Sequence, residues 1–302
     1  MPKSPLLLIP AVAALTALAL AGCAPTTPAD GAPGVVQVVA STNVYGDIAA
    51  TIGGDAVAVT SIIDNPDQDP HEYEASARTQ LALSKAQLVI ENGGGYDDFV
   101  GTMLSAAGND GAVVLDAVEI SGYDASVGGF NEHVWYDYPT VGKVVDAIVE
   151  QLSAIDPDAA GEFEANAAPL RDGLAALEAK EAEIATAHGG AGVIITEPVP
   201  LYALTAAGLD NLTPPAFSEA VEEDTDAPAE VVQQVLGALD DGSAALVVFN
   251  EQTGGPQTDA VLAAAKQAGV PTVGVTETLP DGVDYIAWQT DVLDRIDQAL
   301  GG

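Results

Sequence analysis

The chain has 302 residues and carries 45 acidic side chains against eight lysines and arginines, a net charge of −37. Phosphate recognition needs a basic surface, so this balance excludes nucleic-acid binding as a main activity and argues equally against electrostatic adhesion to anionic lipid. A negative field of this kind either draws cations toward a site or serves solubility in a salty or wall-bound setting, and composition alone allows both.

Lys3 precedes an apolar run from Pro5 to Leu20, followed by Leu20-Ala21-Gly22-Cys23. A short positive segment, an apolar stretch shorter than a membrane span and small residues before a cut site describe an export signal over residues 1–22. Cys23 is the only cysteine, so no internal disulfide can form. The Leu-Ala-Gly-Cys string resembles the bacterial lipobox, which makes Cys23 the expected lipidation site. Residues 23–34 then read as a tether rich in Pro, Gly, Ala and Thr. The expectation is an exported domain anchored by lipid at the outer face of the bacterial cell membrane. Beyond the signal, about 280 residues remain, enough for two moderate domains.

From Val35 onward strands and helices alternate. Val35–Ser41 is a β-branched run suited to a buried parallel strand, and a helix follows from Val44 to Ile52, ended by Gly53-Gly54. Val57–Ile63 is the next strand, Asn65 to Pro70 a turn-rich loop, Ala77–Lys85 a helix and Leu88–Ile90 a strand. Asp97–Ala107 is helical and Ala112–Leu115 extended. The middle is nearly continuous helix: Val141–Leu152, then Ala159–Ala187 with Asp156-Pro157-Asp158 as its start and Pro169 as a potential kink. Alternation resumes with strand Val193–Thr196, helix Leu201–Ala207, strand Ala244–Phe249, helix Asp259–Ala268 and strand Thr272–Val275. The fold class is therefore α/β, two lobes each built on a parallel sheet flanked by helices, joined by one long helix. The divisions are residues 35–138, a helical connector at 139–188, and 189–302.

Only three histidines occur, and two stand beside acids: Asp69-Pro70-His71-Glu72-Tyr73-Glu74 and Asn131-Glu132-His133-Val134-Trp135-Tyr136-Asp137. Neutral imidazole is the commonest protein metal ligand, and both histidines fall in loops of the kind where α/β sheets gather ligands. His71 and His133 are thus candidate ligands of a mixed nitrogen and oxygen metal site. His188, beside Gly189-Gly190, reads as a surface residue, and Trp135 as packing beneath the site.

With these segments in order, the chain resembles the metal-binding lipoproteins of bacterial ABC importers, the solute-binding family for manganese, zinc or iron, over nearly all its length beyond the signal. The resemblance is carried by the two histidine motifs, by Asp156-Pro157 and the Asn166 region of the connector, by Thr196-Glu197-Pro198-Val199-Pro200-Leu201-Tyr202, and by Thr276-Glu277-Thr278-Leu279. It implies a four-ligand set of His71, His133, Glu197 and Glu277, with Asp281 as a substitute for Glu277, since the family usually places aspartate there. It implies an ABC permease and its ATPase as partners, a monomer, and no enzymatic activity. Glu72, Glu132 and Asp137 flank the histidines as acceptors that could orient the rings or as solvated acids. Glu251, in Phe249-Asn250-Glu251-Gln252, takes a structural or hinge role near the site.

Two imidazoles and two carboxylates neutralise a divalent cation. Carboxylate oxygens suit manganese(II), whereas imidazole also suits zinc and iron. Zinc-directed members tend to place histidine third and often carry a histidine-rich loop. Here Glu197 stands third and no histidine lies between Ala112 and Asn131, so manganese leads, with zinc(II) or iron(II) as alternatives. Two other classes share such a site: a metallohydrolase, for which no nucleophile motif is present, and an adhesin or interaction protein that retains the site vestigially.

Overall fold

Two β-branched runs seed two sheets of the same design. The computed structural model describes residues 34–65, 73 and 76–302. The expectations placed on residues 1–22, Cys23, His71 and Glu72 lie outside that range. The strand β1 (Val36–Thr42) pairs in parallel with β2 (Val57–Ile63) on one side and β3 (Leu88–Glu91) on the other, with β4 (Val113–Asp116) beyond β3. In the second half β5 (Gly192–Ile195) lies between β6 (Asp210–Asn211) and β7 (Ala244–Asn250), with β8 (Thr272–Val275) outside β7. Both sheets therefore have the order second-first-third-fourth. The central strands β1, β5 and β7 are mostly apolar because helices cover both faces, and the polar Ser41, Thr42 and Asn250 fall at strand ends. In this order the chain leaves the first strand toward opposite sides, and a crevice opens beyond the carboxyl ends of the first and third strands.

The first half is wrapped by α1 (Asn43–Gly53), α2 (Ala77–Lys85), α3 (Phe99–Ala107) and α4 (Ala117–Ser121). Then come α5 (Tyr138–Ile155) and α6 (Ala160–His188), followed by α7 (Leu201–Ala206), α8 (Pro215–Glu222), α9 (Ala229–Asp240), α10 (Pro256–Ala268) and α11 (Tyr285–Leu300). The 29 residues of α6 make a rod about 43 Å long at 1.5 Å per residue. Its stripe of Phe163, Ala167, Leu170, Leu174, Leu177 and Ile184 is buried at spacings of three, four and seven, against α5, α11 and α1. The rod runs unbroken through Pro169, which is exposed, so the carbonyl it leaves without an amide donor can turn to water. No described helix is long and apolar enough to cross a membrane.

The strands and helices named from sequence are present with bounds shifted by a residue or a few, and β2, α2 and β8 have the expected ends. The structure adds α4, β6, α8, α9 and α11. The last is the most consequential. Asp284 caps it by accepting from the Ala287 amide at 2.8 Å, and Tyr285, Trp288, Val292 and Ile296 form its buried face.

The halves share one apolar core. Polar links cross between them as well. Asn43 exchanges two hydrogen bonds with the Leu279 backbone, at 2.8 and 2.9 Å. The hydroxyl of Tyr136 donates to Thr276 O at 2.8 Å, and that of Tyr285 to Trp135 O at 2.6 Å. The amide of Tyr285 donates to Asp47 at 2.9 Å. These bonds brace the loops that border the crevice.

Candidate metal centre

The loop before α5 positions His133. It enters a 3-10 turn, Val134–Tyr136, and its side chain is fully buried. Trp135 packs edge-on beside the imidazole with ring centroids 5.0 Å apart, and Tyr96 stands 6.0 Å away. Asn131 orients the ring: its Oδ1 lies 2.7 Å from Nδ1 and accepts from the His133 amide at 3.1 Å. With Nδ1–H donated to Asn131, Nε2 carries the lone pair, on the side of the ring where Glu222 stands. The other end of the same carboxamide donates to Pro198 O at 3.0 Å, and Tyr202 Oη donates to Asn131 O at 2.8 Å. One asparagine thus ties the histidine loop to the loop carrying Glu197.

Glu197 follows β5 and Glu277 follows β8, and each is 2 % exposed. Both converge on Asn250, the last residue of β7. Its Nδ2 donates to Glu197 Oε2 at 2.7 Å and to Glu277 Oε1 at 2.8 Å. Thr253 donates to the other Glu197 oxygen, and Tyr96 Oη, from the first half, donates to Glu277 Oε2 at 3.0 Å. Gln252 accepts the Glu277 amide at 2.6 Å, which holds the β8 loop in place. Burial and the adjacent Glu277 push the Tyr96 hydroxyl well above the ordinary tyrosine range, so it stays a donor.

A further network supports the histidine loop from beneath. Asn92, at the end of β3, donates to Glu132 O at 2.9 Å and accepts from Tyr45 at 2.5 Å. Asp97 takes the amides of Asn92 and Gly93 at 2.7 and 2.8 Å.

One acid joins the centre from α8. Glu222 Oε1 stands 3.5 Å from His133 Nε2, and a ligand atom from each of Glu132, His133 and Glu222 lies within 4.8 Å of the others. Burial, then Glu132, Glu197 and Glu277, push its carboxyl up to about 9.

Several expected site residues take other places. Asp281 is exposed, so Glu277 and not Asp281 is the acid turned inward. Asp137 accepts from Tyr123 at 2.9 Å and Thr140 at 2.5 Å at the start of α5, and the imidazole instead takes Asn131 as its acceptor. Glu251 is exposed and its carboxylate covers Gly274 on β8; its neighbour Asn250 is the residue that enters the site. The alternation of side chains along β7 makes that choice, because adjacent residues point to opposite faces. His188 is half-buried, with Nε2 3.2 Å from Asp297, beside the amino-terminal end of β5. Tyr96, Asn131, Asn250 and Glu222 were not assigned roles from sequence. The end-of-strand rule points to Asn250, but nothing local marks Glu222.

Imidazole and carboxylate are donor types that suit divalent transition cations, and one atom from each of Glu132, His133 and Glu222 is close enough to share one. Comparison with known proteins agrees in fold. The manganese-binding lipoprotein MntA of Halalkalibacterium halodurans is 29% identical over 167 residues, 54% of each chain. The manganese transporter substrate-binding lipoprotein PsaA of Streptococcus pneumoniae is 29% identical over 175 residues, 54% of this chain and 56% of that one. The zinc-binding lipoprotein AdcA of Streptococcus pneumoniae is 26% identical over 233 residues, 69% of this chain and 45% of that one. The chain spans about half the length of these relatives. Among solved structures, the periplasmic zinc-binding protein TroA of Treponema pallidum superposes with TM-score 0.75 at 21% identity, covering 89% of this chain and all of that one. A manganese-bound periplasmic metal-binding protein of Candidatus Liberibacter asiaticus gives 0.70 at 16%, covering 87% and 98%. These two likenesses are of fold alone. Matched over residues 38–299, the chain belongs to the ZnuA family, zinc-uptake complex component A, periplasmic.

Proposed function

We propose that this protein is the solute-binding component of an ABC importer, capturing a divalent transition metal, manganese(II) foremost, and passing it to a membrane permease driven by its ATPase. It is a binding protein, not an enzyme. The observation that carries this reading is the meeting of Glu197 and Glu277 at Asn250, with Tyr96, which donates to Glu277, packed beside the buried His133. His71 completes the set as the fourth ligand by family resemblance. Residues 35–138 and 189–302 act as jaws on the connector 139–188, and lipid on Cys23 holds the protein, as a monomer, at the outer face of the membrane.

The donor set fits the cargo. Imidazole suits the borderline transition ions, while two carboxylates add hard oxygen donors and the charge that balances a dication. Asn250 and Tyr96 hold the carboxylates in position before the ion arrives, which lowers the cost of ordering them on binding. Zinc is the second reading, favoured by the zinc-uptake family that the chain belongs to.

Calorimetric titration of metal-free protein with manganese(II) and zinc(II) is the test. Stoichiometric binding that is lost in His133→Ala combined with Glu197→Ala is expected. Full affinity in that double variant overturns the ligand assignment, and failure of the metal-free protein to bind manganese(II) while it binds zinc(II) overturns manganese as the cargo.

A further inference from the structure

The resemblance implies four ligands, and one more acid, Glu222 of α8, stands against His133. The eight residues of α8, Pro215–Glu222, lie in the second half and bury Phe217 and Ser218. Glu219 and Glu222 are one turn apart on the same helix face. The Glu219 carboxylate lies over Gly129, close enough that a Cβ there would stand 3.2 Å from it. Gly129 holds φ +73° in the loop that leads to His133. Glu222 then reaches His133 itself, at 3.5 Å from Nε2. The helix ends firmly: Asp224 adopts φ +50°, and the Thr225 amide returns to Ala220 O at 2.8 Å.

Geometry and hydrogen bonding both single out Glu222. Two donors on one ion, each about 2.1 Å from it and between a right angle and a tetrahedral angle apart, stand about 3.0–3.5 Å from each other. The separation of Glu222 Oε1 from His133 Nε2 falls at that value. Oε1 is buried and accepts no hydrogen bond, an arrangement that leaves a carboxylate oxygen without the partner it would have in water. The donor chemistry of the neighbourhood is imidazole plus carboxylate, not carboxylate alone.

We propose that Glu222 is a further metal ligand of this centre, and that its added oxygen selects manganese(II) over zinc(II). The proposal rests on the metal-binding reading above. Zinc sites close at four ligands in a tetrahedron, whereas manganese accepts larger oxygen-rich shells. A fifth protein donor therefore strengthens the manganese complex and does little for zinc.

The test pairs a crystal structure of the manganese-loaded protein, with the ion located by its anomalous signal, with manganese and zinc affinities of wild type, Glu222→Gln and Glu222→Asp. The expected ion lies within about 2.5 Å of a Glu222 oxygen. Glu222→Gln then weakens manganese about tenfold or more and zinc less than threefold, while Glu222→Asp retains part of the preference. An ion held by His133, Glu197 and Glu277 with Glu222 out of reach overturns the proposal and leaves the metal-binding reading standing. Equal losses for both metals overturn the selectivity. Absence of an ion from the crevice in the loaded protein overturns the metal-binding reading, and this inference with it.

Discussion

The two halves of the molecule share a strand order and differ in what they deliver to the crevice between them. The first supplies an imidazole set among rings: His133 lies against Trp135 and Tyr96, and Asn131 accepts from its Nδ1. The second supplies carboxylates, and these need donors, so the ends of β5, β7 and β8 are joined through the amide of Asn250. A buried imidazole has two ring nitrogens to satisfy, whereas a buried carboxylate has about four lone-pair sites and needs several donors. Equivalent topology therefore coexists with unlike chemistry, because each loop is shaped by what its own donor atoms require.

The largest expected effect comes from removing the centre of either side. His133→Ala or Glu197→Ala alone should weaken manganese binding by about a hundredfold or more, read by calorimetry. A similar loss from both sides means the ion is shared across the crevice; a loss from one side alone breaks the comparison. Next, Asn250→Leu should lower the stability of the metal-free protein by about 2 kcal/mol, seen as a lower Tm, since two buried carboxylates lose their common donor. Added metal should restore much of it by binding the folded state. If the metal-free Tm is unchanged, Asn250 does not organise the second half as described.

The helix that joins the halves carries a charge effect of its own. Glu181, buried on α6, has its carboxyl pushed up to about 8 by burial first and then by Glu178 and Asp137, from an ordinary 4.5. A raised acid folds most easily when protonated, so its contribution is fully present below pH 4.5 and is lost as pH rises through 8. Glu181→Gln should therefore match wild type near pH 4 and be more stable by about 2 kcal/mol at pH 9 in chemical denaturation. A difference that does not grow with pH refutes this. The smallest effect expected is from Tyr285→Phe, which removes one bond between the halves, to Trp135 O. It should cost about 1 kcal/mol and leave metal affinity within about twofold; a larger loss of affinity would mean that this brace positions His133 directly.

Much of the fold was legible from the chain. The buried runs of β1, β5 and β7, the punctuating glycines and the long stripe on α6 are local signals, and the strands and helices they predict are present. What escaped was of two kinds. The α9 and α11 helices carry signals of their own, apolar residues at helical spacing and, on α11, the Asp284 cap, yet neither is among the elements expected above. The short α4, β6 and α8 have few residues each, so their periodicity is too brief to read. At the site, Glu197 and Glu277 follow from family resemblance and both are buried, while Glu251, expected in a structural or hinge role, is exposed and its neighbour Asn250 is the residue that meets both acids.

Taken by itself, the sequence determined the α/β class, the strand-ending loops where donors could gather and the identity of the acids and imidazoles available there. These are matters of residue type and local periodicity. Only the tertiary structure decided which acids meet the histidine. Side-chain direction at the end of β7 chose Asn250 over Glu251, and the packing of α8 against the loop of Gly129 and His133 brought Glu222 to the imidazole. Such choices depend on contacts between residues distant along the chain, and no local pattern encodes them.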